Sequence, residues 1–303
     1  MIEGIVNVLK PPGLTSSDVV GDIRRIFDEK RVGHTGTLDP GAAGVLPVCL
    51  GRATRLFDYL VDKQKEYIAE IRFGAATDTQ DAYGAVIAQS DREVNEAELL
   101  AVLPEFMGEI TQVVPMYSAV RQNGKQLYKL AREGVETVQK TREVTIDELE
   151  LITNTGRNRY LLRIVCSKGT YVRTICHDIG ERLNAMAYLS FLLRTRTGMF
   201  LLDETYSIKQ LNELKTQGIL QNAVIPVEHT LAHLGEARLI GLSVRQEKLL
   251  RNGAPIEHAD LIELPENCPL RTYIDDEFIG IGIINSGKLH IQTFFSEGER
   301  HGR

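Results

Sequence analysis

Hydrophobic residues in much of the chain follow the continuous or alternating patterns that are typical of β-strands. Residues 4–9 predict a short strand, a continuous apolar run over 45–50 predicts a second, and partial alternation over 67–73 predicts a third. A run rich in Leu, Ile and Val over 160–166 returns to the same pattern. Strands are therefore expected to dominate the first hundred residues and to recur later in the chain.

Three segments have the apolar spacing of amphipathic helices. One follows the polar residues 15–18, a second covers 96–103, and a third covers 171–183. Helices and strands alternate without a regular βαβ period. The pattern therefore predicts an α+β fold and not a doubly wound parallel sheet.

The pattern changes after residue 226 to short strands separated by turn residues. A strand is predicted over 239–242, a turn over 251–255 and a hairpin over 281–291. The residues that follow this change suffice for a small β-rich domain. We therefore divide the chain into a first domain over 1–228 and a second over 229–303.

The charge of the protein is unevenly distributed. The formal net charge is −6 at pH 7, which argues against nucleic-acid binding over the whole surface but permits a local basic groove. Six Lys and Arg residues face two acidic ones over 115–142, and eight face two over 157–196. Tyrosines are interspersed in both segments. The two basic segments are either ordinary solvent-exposed faces or a surface that binds along a phosphate backbone.

Cysteine usage and the apolar runs bear on the cellular compartment. None of the four cysteines forms a Cys-x-x-Cys pair or has the His spacing of a zinc site, which favours reduced thiols. The apolar start of the chain is shorter than a signal-peptide core, and no apolar run reaches the roughly 18 residues of a membrane span. We therefore expect a soluble, cytoplasmic protein without membrane association.

A glycine-rich loop over 33–47 presents a single carboxylate, Asp39. Its glycines permit tight turns, and Pro40 favours an extended conformation for the residue before it. The loop lacks the Lys and Ser or Thr of a phosphate-binding P-loop. From the residues alone, Asp39 is a nucleophile, a general base, a metal ligand or a turn former that caps a helix.

A metal site at Asp39 would need His34, Asp78 and Asp81 as further ligands, and their spacing matches no standard metal-binding loop. Tyr67, at the start of a strand, is by itself typical of a packing residue.

The segment 167–175 joins a strand to a helix, so its backbone N–H groups and Arg173 are placed to bind an anion. Arg173 could pair with a carboxylate or form an ordinary surface ion pair. Neither alternative is decided by the segment itself.

Several motifs follow one another along the chain in a characteristic order. The longest is Gly33-His34-Thr35-Gly36-Thr37-Leu38-Asp39-Pro40, continued by Ala42, Gly44, Leu46 and Pro47. The others are Lys10-Pro11 with Gly13 and Thr15-Ser16, Tyr67, Thr77-Asp78-Thr79-Gln80-Asp81, Met116-Tyr117-Ser118-Ala119, Ser167-Lys168-Gly169-Thr170-Tyr171-Val172-Arg173 and Leu192. Together they resemble the bacterial tRNA pseudouridine-55 synthases, which isomerise one uridine of the TΨC arm of tRNA. The match covers essentially the whole chain, although the C-terminal part matches only loosely.

This resemblance implies a pseudouridine synthase fold, with a mixed, largely antiparallel central sheet flanked by helices and loops. It also implies a thumb-like RNA-binding insert over about 115–142 and a β-barrel-like PUA domain at the C-terminus. By position, the resemblance makes Asp39 the catalytic aspartate. The resemblance also implies that Arg173 pairs with Asp39 and that Asp81 orients Arg173. It implies that Tyr67, Tyr171 and Leu192 line the uracil pocket, and that His34 fills the gap left by the extruded nucleotide.

The implied reaction breaks the N1–C1′ bond of the uridine, turns the uracil and rejoins it through C5. Asp39 would attack the sugar or base, or stabilise a cationic sugar, and both routes need it ionised. We expect Arg173 to favour the charged carboxylate against the effect of burial. Tyr67 is the nearest candidate for moving the proton, although a phenol with a pKa of about 10 is a poor base at neutral pH.

The resemblance implies tRNA as the partner, no cofactor or metal, and neither a guide RNA nor an obligate protein partner, in a monomer. A tRNA-folding chaperone that acts through binding alone is an alternative. Another is the catalytic subunit of an RNA-guided pseudouridine synthase, against which the thumb-like insert argues. A metal-dependent hydrolase is a remote third alternative.

Overall fold

Two β-sheets organise the chain, which a computed structural model describes at residues 2–61, 64–118, 120–122, 124–127 and 140–295. The α-helices within these residues are α1 (Ser16–Phe27), α2 (Phe57–Val61), α3 (Glu96–Val102), α4 (Val172–Arg182), α5 (Ile208–Thr216), α6 (Val227–Thr230) and α7 (Val244–Arg251). Short 3₁₀ helices cover Gly51–Leu56, Leu103–Phe106, Leu202–Glu204, Leu220–Ala223 and Ala259–Leu261. Much of the predicted thumb, including all of 128–139, lies outside the described residues.

The strands fall into one large sheet, a smaller four-stranded sheet and two short hairpins. Their bounds are β1 (Gly4–Lys10), β2 (Val32–His34), β3 (Ala43–Leu50), β4 (Lys65–Phe73), β5 (Ala75–Thr77), β6 (Val86–Gln89), β7 (Gly108–Val113), β8 (Arg121–Gln122), β9 (Lys125–Gln126), β10 (Thr141–Gly156), β11 (Arg159–Cys166), β12 (Ala187–Thr197), β13 (Phe200–Leu201), β14 (Gly235–Leu239), β15 (Leu270–Ile274), β16 (Glu277–Asn285) and β17 (Lys288–Phe294).

Within the described residues, nine strands form the larger sheet, in the order β1-β3-β12-β4-β11-β10-β7. Strand β2 pairs with β3, and β13 pairs with β12. Pairing is antiparallel except between β3 and β12, which run parallel where Arg194 lies opposite Gly44. The predicted α+β class with a mixed, largely antiparallel sheet is therefore confirmed.

Helices cover the larger sheet through separate apolar clusters. In one cluster, Ile175 and Ile179 of α4 are buried with Ile71 of β4. In another, Val19 and Ile23 of α1 are buried with residues of β1 and β3. Helix α1 begins with a capping box, in which Thr15 and Asp18 satisfy each other's backbone N–H groups. The polar residues that predicted this helix therefore also fix where it begins.

The C-terminal residues form a four-stranded sheet in the order β14-β15-β16-β17. Strands β14 and β15 are parallel, and the other two pairings are antiparallel. The strands described do not close into a barrel, and the open sheet fits a PUA-like arrangement. Helix α7 was not predicted; its Ser243 and Gln246 form a capping box, which is the sequence signal that marks its start.

The two sheets are packed against each other through one apolar cluster. Ile5 and Val45 of the larger sheet are buried in it with Tyr273, Phe278 and Ile281 of the smaller one. The predicted domain boundary at residue 228 falls inside α6 and stays a prediction. Across the described part of the chain, every helix is too short or too polar to span a bilayer.

Candidate active site

A cavity of about 380 Å³ opens between the Asp39 loop and the N-terminus of α4. This volume lies within the range of small-ligand sites. Five of the seven residues singled out from the sequence line it, namely Asp39, Tyr67, Tyr171, Arg173 and Leu192. The other two, His34 and Asp81, lie outside its lining. The fold therefore brings together side chains that are separated by more than a hundred positions along the chain.

Backbone contacts hold the Asp39 loop in place. The Ser16 hydroxyl donates to the Leu38 carbonyl (3.1 Å) and accepts from the Leu38 N–H (2.9 Å). The Ala42 N–H donates to the Asp39 carbonyl (3.0 Å) and closes a turn. At Gly44, where φ is +112°, a Cβ would lie 2.2 Å from the Arg194 carbonyl oxygen. Only glycine permits this approach of the loop to β12.

Arg173 lies in the first turn of α4 and is 4% exposed. Its Nη1 is 3.6 Å from Asp39 Oδ2 and 3.7 Å from Asp81 Oδ2. Its Nη2 donates to the Tyr117 carbonyl (2.6 Å), which ties the guanidinium to the segment that precedes the predicted thumb. A buried guanidinium between two carboxylates keeps both of them close to the cavity.

The protonation of Asp39 reflects opposing effects. Burial raises the pKa of its carboxyl group above the ordinary value, Arg173 opposes that rise, and Asp81 adds to it. The expected effect of Arg173 is therefore present, but it only offsets part of the burial effect. A carboxylate that is less well solvated than usual is a stronger nucleophile and a stronger base when it is ionised.

Two neighbouring strands provide the walls of the cavity. Tyr67 on β4 lies opposite Arg194 on β12, and Leu192 lies two residues before Arg194. Burial raises the pKa of the Tyr67 phenol, so its hydroxyl stays protonated at neutral pH. One aromatic and one aliphatic wall suit a flat heterocycle.

Tyr171 closes another side of the cavity and is fixed through its backbone. The Gln112 side chain accepts from the Tyr171 N–H (2.8 Å) and donates to the Tyr171 carbonyl (3.0 Å). The guanidinium carbons of Arg142 and Arg173 lie 6.0 and 5.7 Å from the centre of the Tyr171 ring. Gln112 of strand β7 therefore helps to position the Tyr171 ring.

Asp81 and His34 have different surroundings. Asp81 Oδ1 accepts from the Thr79 hydroxyl (2.6 Å) and the Tyr83 N–H (2.9 Å), which leaves Oδ2 directed at Arg173. His34 ends β2, and burial followed by the charge of Arg194 lowers the pKa of its ring. His34 is therefore neutral at pH 7.

Two buried cations were given no role in the site from the sequence. Lys10 is 0% exposed and donates to the carbonyls of Pro40 (3.2 Å) and Ala42 (2.6 Å), both of which follow Asp39 in the loop. Burial lowers the pKa of Lys10 to about 8. Arg194 is 1% exposed and donates to the carbonyls of Val45 and Gly36.

The lining of the cavity is basic, because it includes Lys65, which is buried, Arg142, which is half-buried, and Lys168, which is exposed. Arg142 Nη1 also donates to the Gly169 carbonyl (3.1 Å). Among the residues that the structure describes, no group of three or more His, Cys, Asp or Glu side chains is arranged to hold a metal ion. The lining of the cavity therefore combines one carboxylate, aromatic walls and several cations.

Comparison with known proteins identifies the family. Residues 24–172 match the N-terminal domain of the TruB family pseudouridylate synthases, and 173–232 match the C-terminal domain of tRNA pseudouridylate synthase B. The tRNA pseudouridine synthase B of Pelotomaculum thermopropionicum is 49% identical over 240 residues, which cover 78% of this chain and 76% of that protein. The one of Alkaliphilus oremlandii is 40% identical over 287 residues, which cover 94% of each. The chain belongs to the TruB family of pseudouridylate synthases.

Solved structures support the fold. A chain of the archaeal box H/ACA sRNP Nop10–Cbf5 complex superposes with a TM-score of 0.70 at 25% identity, covering 98% of this chain and 87% of its own. A chain of a Cbf5–Nop10–Gar1 complex gives a TM-score of 0.69 at 26% identity, covering 96% and 79%. The pseudouridine synthase fold that the sequence motifs implied is therefore confirmed.

Proposed function

We propose that this protein isomerises uridine 55 in the TΨC arm of tRNA to pseudouridine, with Asp39 as the catalytic group. The observation that carries the proposal is the position of the Asp39 carboxylate, 3.6 Å from a buried arginine in a cavity walled by Tyr67 and Leu192. The names of the full-length relatives, which are tRNA pseudouridine synthases, support tRNA as the substrate.

The target base lies inside a folded RNA arm, so it must leave the stack before Asp39 can reach it. Extrusion costs a few kcal/mol, which contacts to the RNA backbone offset. His34, at the start of the Asp39 loop, would fill the space that the nucleotide leaves. The flipped uracil would then lie between Tyr67, Tyr171 and Leu192, which exclude water and still permit the ring to turn in its plane.

Asp39 acts as a carboxylate in both routes that the chemistry permits. It either adds covalently to the nucleoside or stabilises a cationic sugar while the N1–C1′ bond breaks. Arg173 favours its ionised form, and Asp81 orients Arg173 through the same Nη1 atom. Tyr67 is the group best placed to pass the proton that must leave when the uracil is joined through C5.

The remaining properties follow from the same assignment. The basic residues that line the cavity would contact the phosphates of the TΨC arm, while the shape of the arm and its 2′-hydroxyls would select the substrate. The segment over about 115–142 would act as a thumb on the RNA, and the domain over 229–303 as a PUA-like RNA-binding domain. We propose that the protein works in the cytoplasm as a monomer, without metal, cofactor, guide RNA or protein partner.

Tritium release from a tRNA transcript that carries uridine labelled at C5 tests the proposal directly. The purified chain, without added metal or guide, should release tritium, and mapping should place the pseudouridine at position 55. Asp39→Asn should reduce release to background and still bind tRNA, whereas the exposed control Asp91→Asn should keep the full rate. Undiminished release by Asp39→Asn contradicts the catalytic role. Acceleration of tRNA folding without any release by the unaltered protein would indicate a chaperone.

A further inference from the structure

We propose that the Ser118 hydroxyl is a substrate-binding group, which donates a hydrogen bond to a carbonyl of the flipped uracil. Ser118 is 4% exposed and lines the cavity together with Asp39 and Tyr67. Its hydroxyl oxygen has no hydrogen-bond partner in the protein. The inference rests on the proposed function, because it names a further contact to the same substrate.

A buried hydroxyl without a partner is unfavourable, since it has lost its bonds to water and gained none in return. Native proteins satisfy most such groups, and exceptions often occur where a ligand provides the missing partner. Thr170, another hydroxyl in the cavity lining, donates to the Ser167 carbonyl (3.0 Å) and is therefore satisfied without substrate. Ser118 differs from Thr170 because its hydroxyl has no partner in the protein, and the cavity that Ser118 lines is where a substrate would provide one.

The backbone next to Ser118 is held from two sides. The Tyr117 carbonyl accepts from Arg173 Nη2 (2.6 Å), and the Tyr117 hydroxyl donates to Asp78 Oδ2 (3.3 Å). Asp78 is itself fixed, because its Oδ1 accepts from the Ala85 N–H (2.8 Å). The guanidinium that lies beside Asp39 therefore also holds the backbone next to Ser118, and both Ser118 and Asp39 line the same cavity.

The geometry of the reaction explains why a hydroxyl is suitable there. Turning the uracil in its plane by a third of a turn brings C5 to the place of N1, and it brings the carbonyl at C2 to the place that the carbonyl at C4 held. A donor that meets one carbonyl before the turn therefore meets the other one after it. A serine hydroxyl rotates freely about its Cβ–Oγ bond, so it can release the first acceptor and bind the second.

Ser118→Ala tests this role, with Ser16→Ala as the matched control. Ser16 is also buried, but its hydroxyl is satisfied by both backbone groups of Leu38. Ser16→Ala should lower the melting temperature, whereas Ser118→Ala should leave it unchanged or raise it, because no bond in the free protein is lost. With tRNA binding within about twofold of the unaltered protein, Ser118→Ala should reduce the single-turnover rate by roughly 10- to 100-fold.

A single-turnover rate of Ser118→Ala within twofold of the unaltered protein would overturn the proposal. So would a fall in its melting temperature as large as that of Ser16→Ala, because it would show that the hydroxyl serves the fold. The two levels of inference fail separately. If the unaltered protein does not convert uridine in tRNA, the proposed function is wrong; if it converts uridine and Ser118→Ala does so equally well, only the role of Ser118 is wrong.

Discussion

At the scale of single residues, the protonation of Asp39 depends on its burial and on the guanidinium of Arg173. Burial raises the pKa of this carboxyl group and Arg173 lowers it. The proposed reaction needs the ionised form of Asp39, so we expect activity to be lost as the pH falls through the pKa of this group in the folded protein. That loss should occur at a higher pH than for an exposed aspartate, whose pKa is about 3.9.

Replacement of Arg173 by Met should shift this acid limb further towards neutral pH, because the effect that opposes burial is removed. Single-turnover tritium release, measured with saturating protein between about pH 4 and pH 8, gives the midpoint. The substitution should reduce turnover far more than tRNA binding. An unchanged midpoint, or equal losses in rate and binding, would contradict the role of Arg173.

Replacement of Tyr67 distinguishes two roles of this residue, a stacking wall and a proton carrier. Its raised pKa keeps the phenol neutral, and a neutral hydroxyl can accept one proton while it gives up another. We therefore expect Tyr67→Phe, which preserves the ring, to lose roughly 100-fold in single-turnover rate and to retain tRNA binding. A rate within about threefold of the unaltered protein would leave Tyr67 only a stacking role.

Sequence motifs could identify Asp39 and Arg173 as candidate site residues, because each motif of the family aligns with particular positions of this chain. The buried roles of Lys10 and Arg194 could not be read in this way. Lys10 stands between a predicted strand and a turn, where a lysine is usually exposed, and Arg194 lies in a basic segment. Only the packing of β3 against β12 reveals that Arg194 is 1% exposed. Burial of a cation is a tertiary property, since it depends on acceptors from distant parts of the chain.

At the scale of elements, the parallel pairing of β3 and β12 connects the Asp39 loop to the cavity wall. Gly44→Ala should disrupt that pairing, because its Cβ would lie 2.2 Å from the Arg194 carbonyl oxygen in a backbone conformation that other residues rarely adopt. We expect a loss of about 4 kcal/mol or more in the free energy of unfolding, measured by urea denaturation.

Gly21→Ala is the matched control for Gly44→Ala. Gly21 lies within α1, and a Cβ there would meet no atom within 4 Å. Alanine should stabilise this helix by roughly 0.5–1 kcal/mol. Equal stability changes in the two variants would show that the close approach at Gly44 does not matter.

The elements themselves were predictable to different degrees. The third predicted helix, over 171–183, is confirmed as α4 (Val172–Arg182), because its apolar spacing extends over several turns. Helix α7 is only eight residues long, and the surrounding short strands obscured its capping box. The sixteen residues of β10 were not assigned to a strand, because that strand is defined by pairing with both β7 and β11.

At the scale of the whole molecule, an acidic protein is proposed to bind a polyanion at a basic cavity. Lys65, Arg142 and Lys168 are among the residues that line this cavity. If these cations contact phosphates, the logarithm of the tRNA association constant should fall linearly with the logarithm of salt concentration. Three contacts correspond to a slope of about −2 or steeper.

Lys168→Met should reduce the magnitude of that slope by about one unit. Lys209→Met is the control, because Lys209 is an exposed residue of α5 outside the cavity lining. Filter binding over a series of salt concentrations measures both variants. A flat dependence for the unaltered protein would contradict electrostatic recognition.

The apolar cluster shared by the two sheets bears on how the chain folds during synthesis. Ile5 and Val45 leave the ribosome early, whereas Tyr273, Phe278 and Ile281, which share their apolar cluster, are made more than two hundred positions later. The face of β1 and β3 that carries these residues therefore lacks part of its cover until β15 and β16 are made. A ribosome stalled shortly after residue 228 would hold a chain whose Asp39 loop is already synthesised but whose apolar cluster is incompletely covered and open to chaperones.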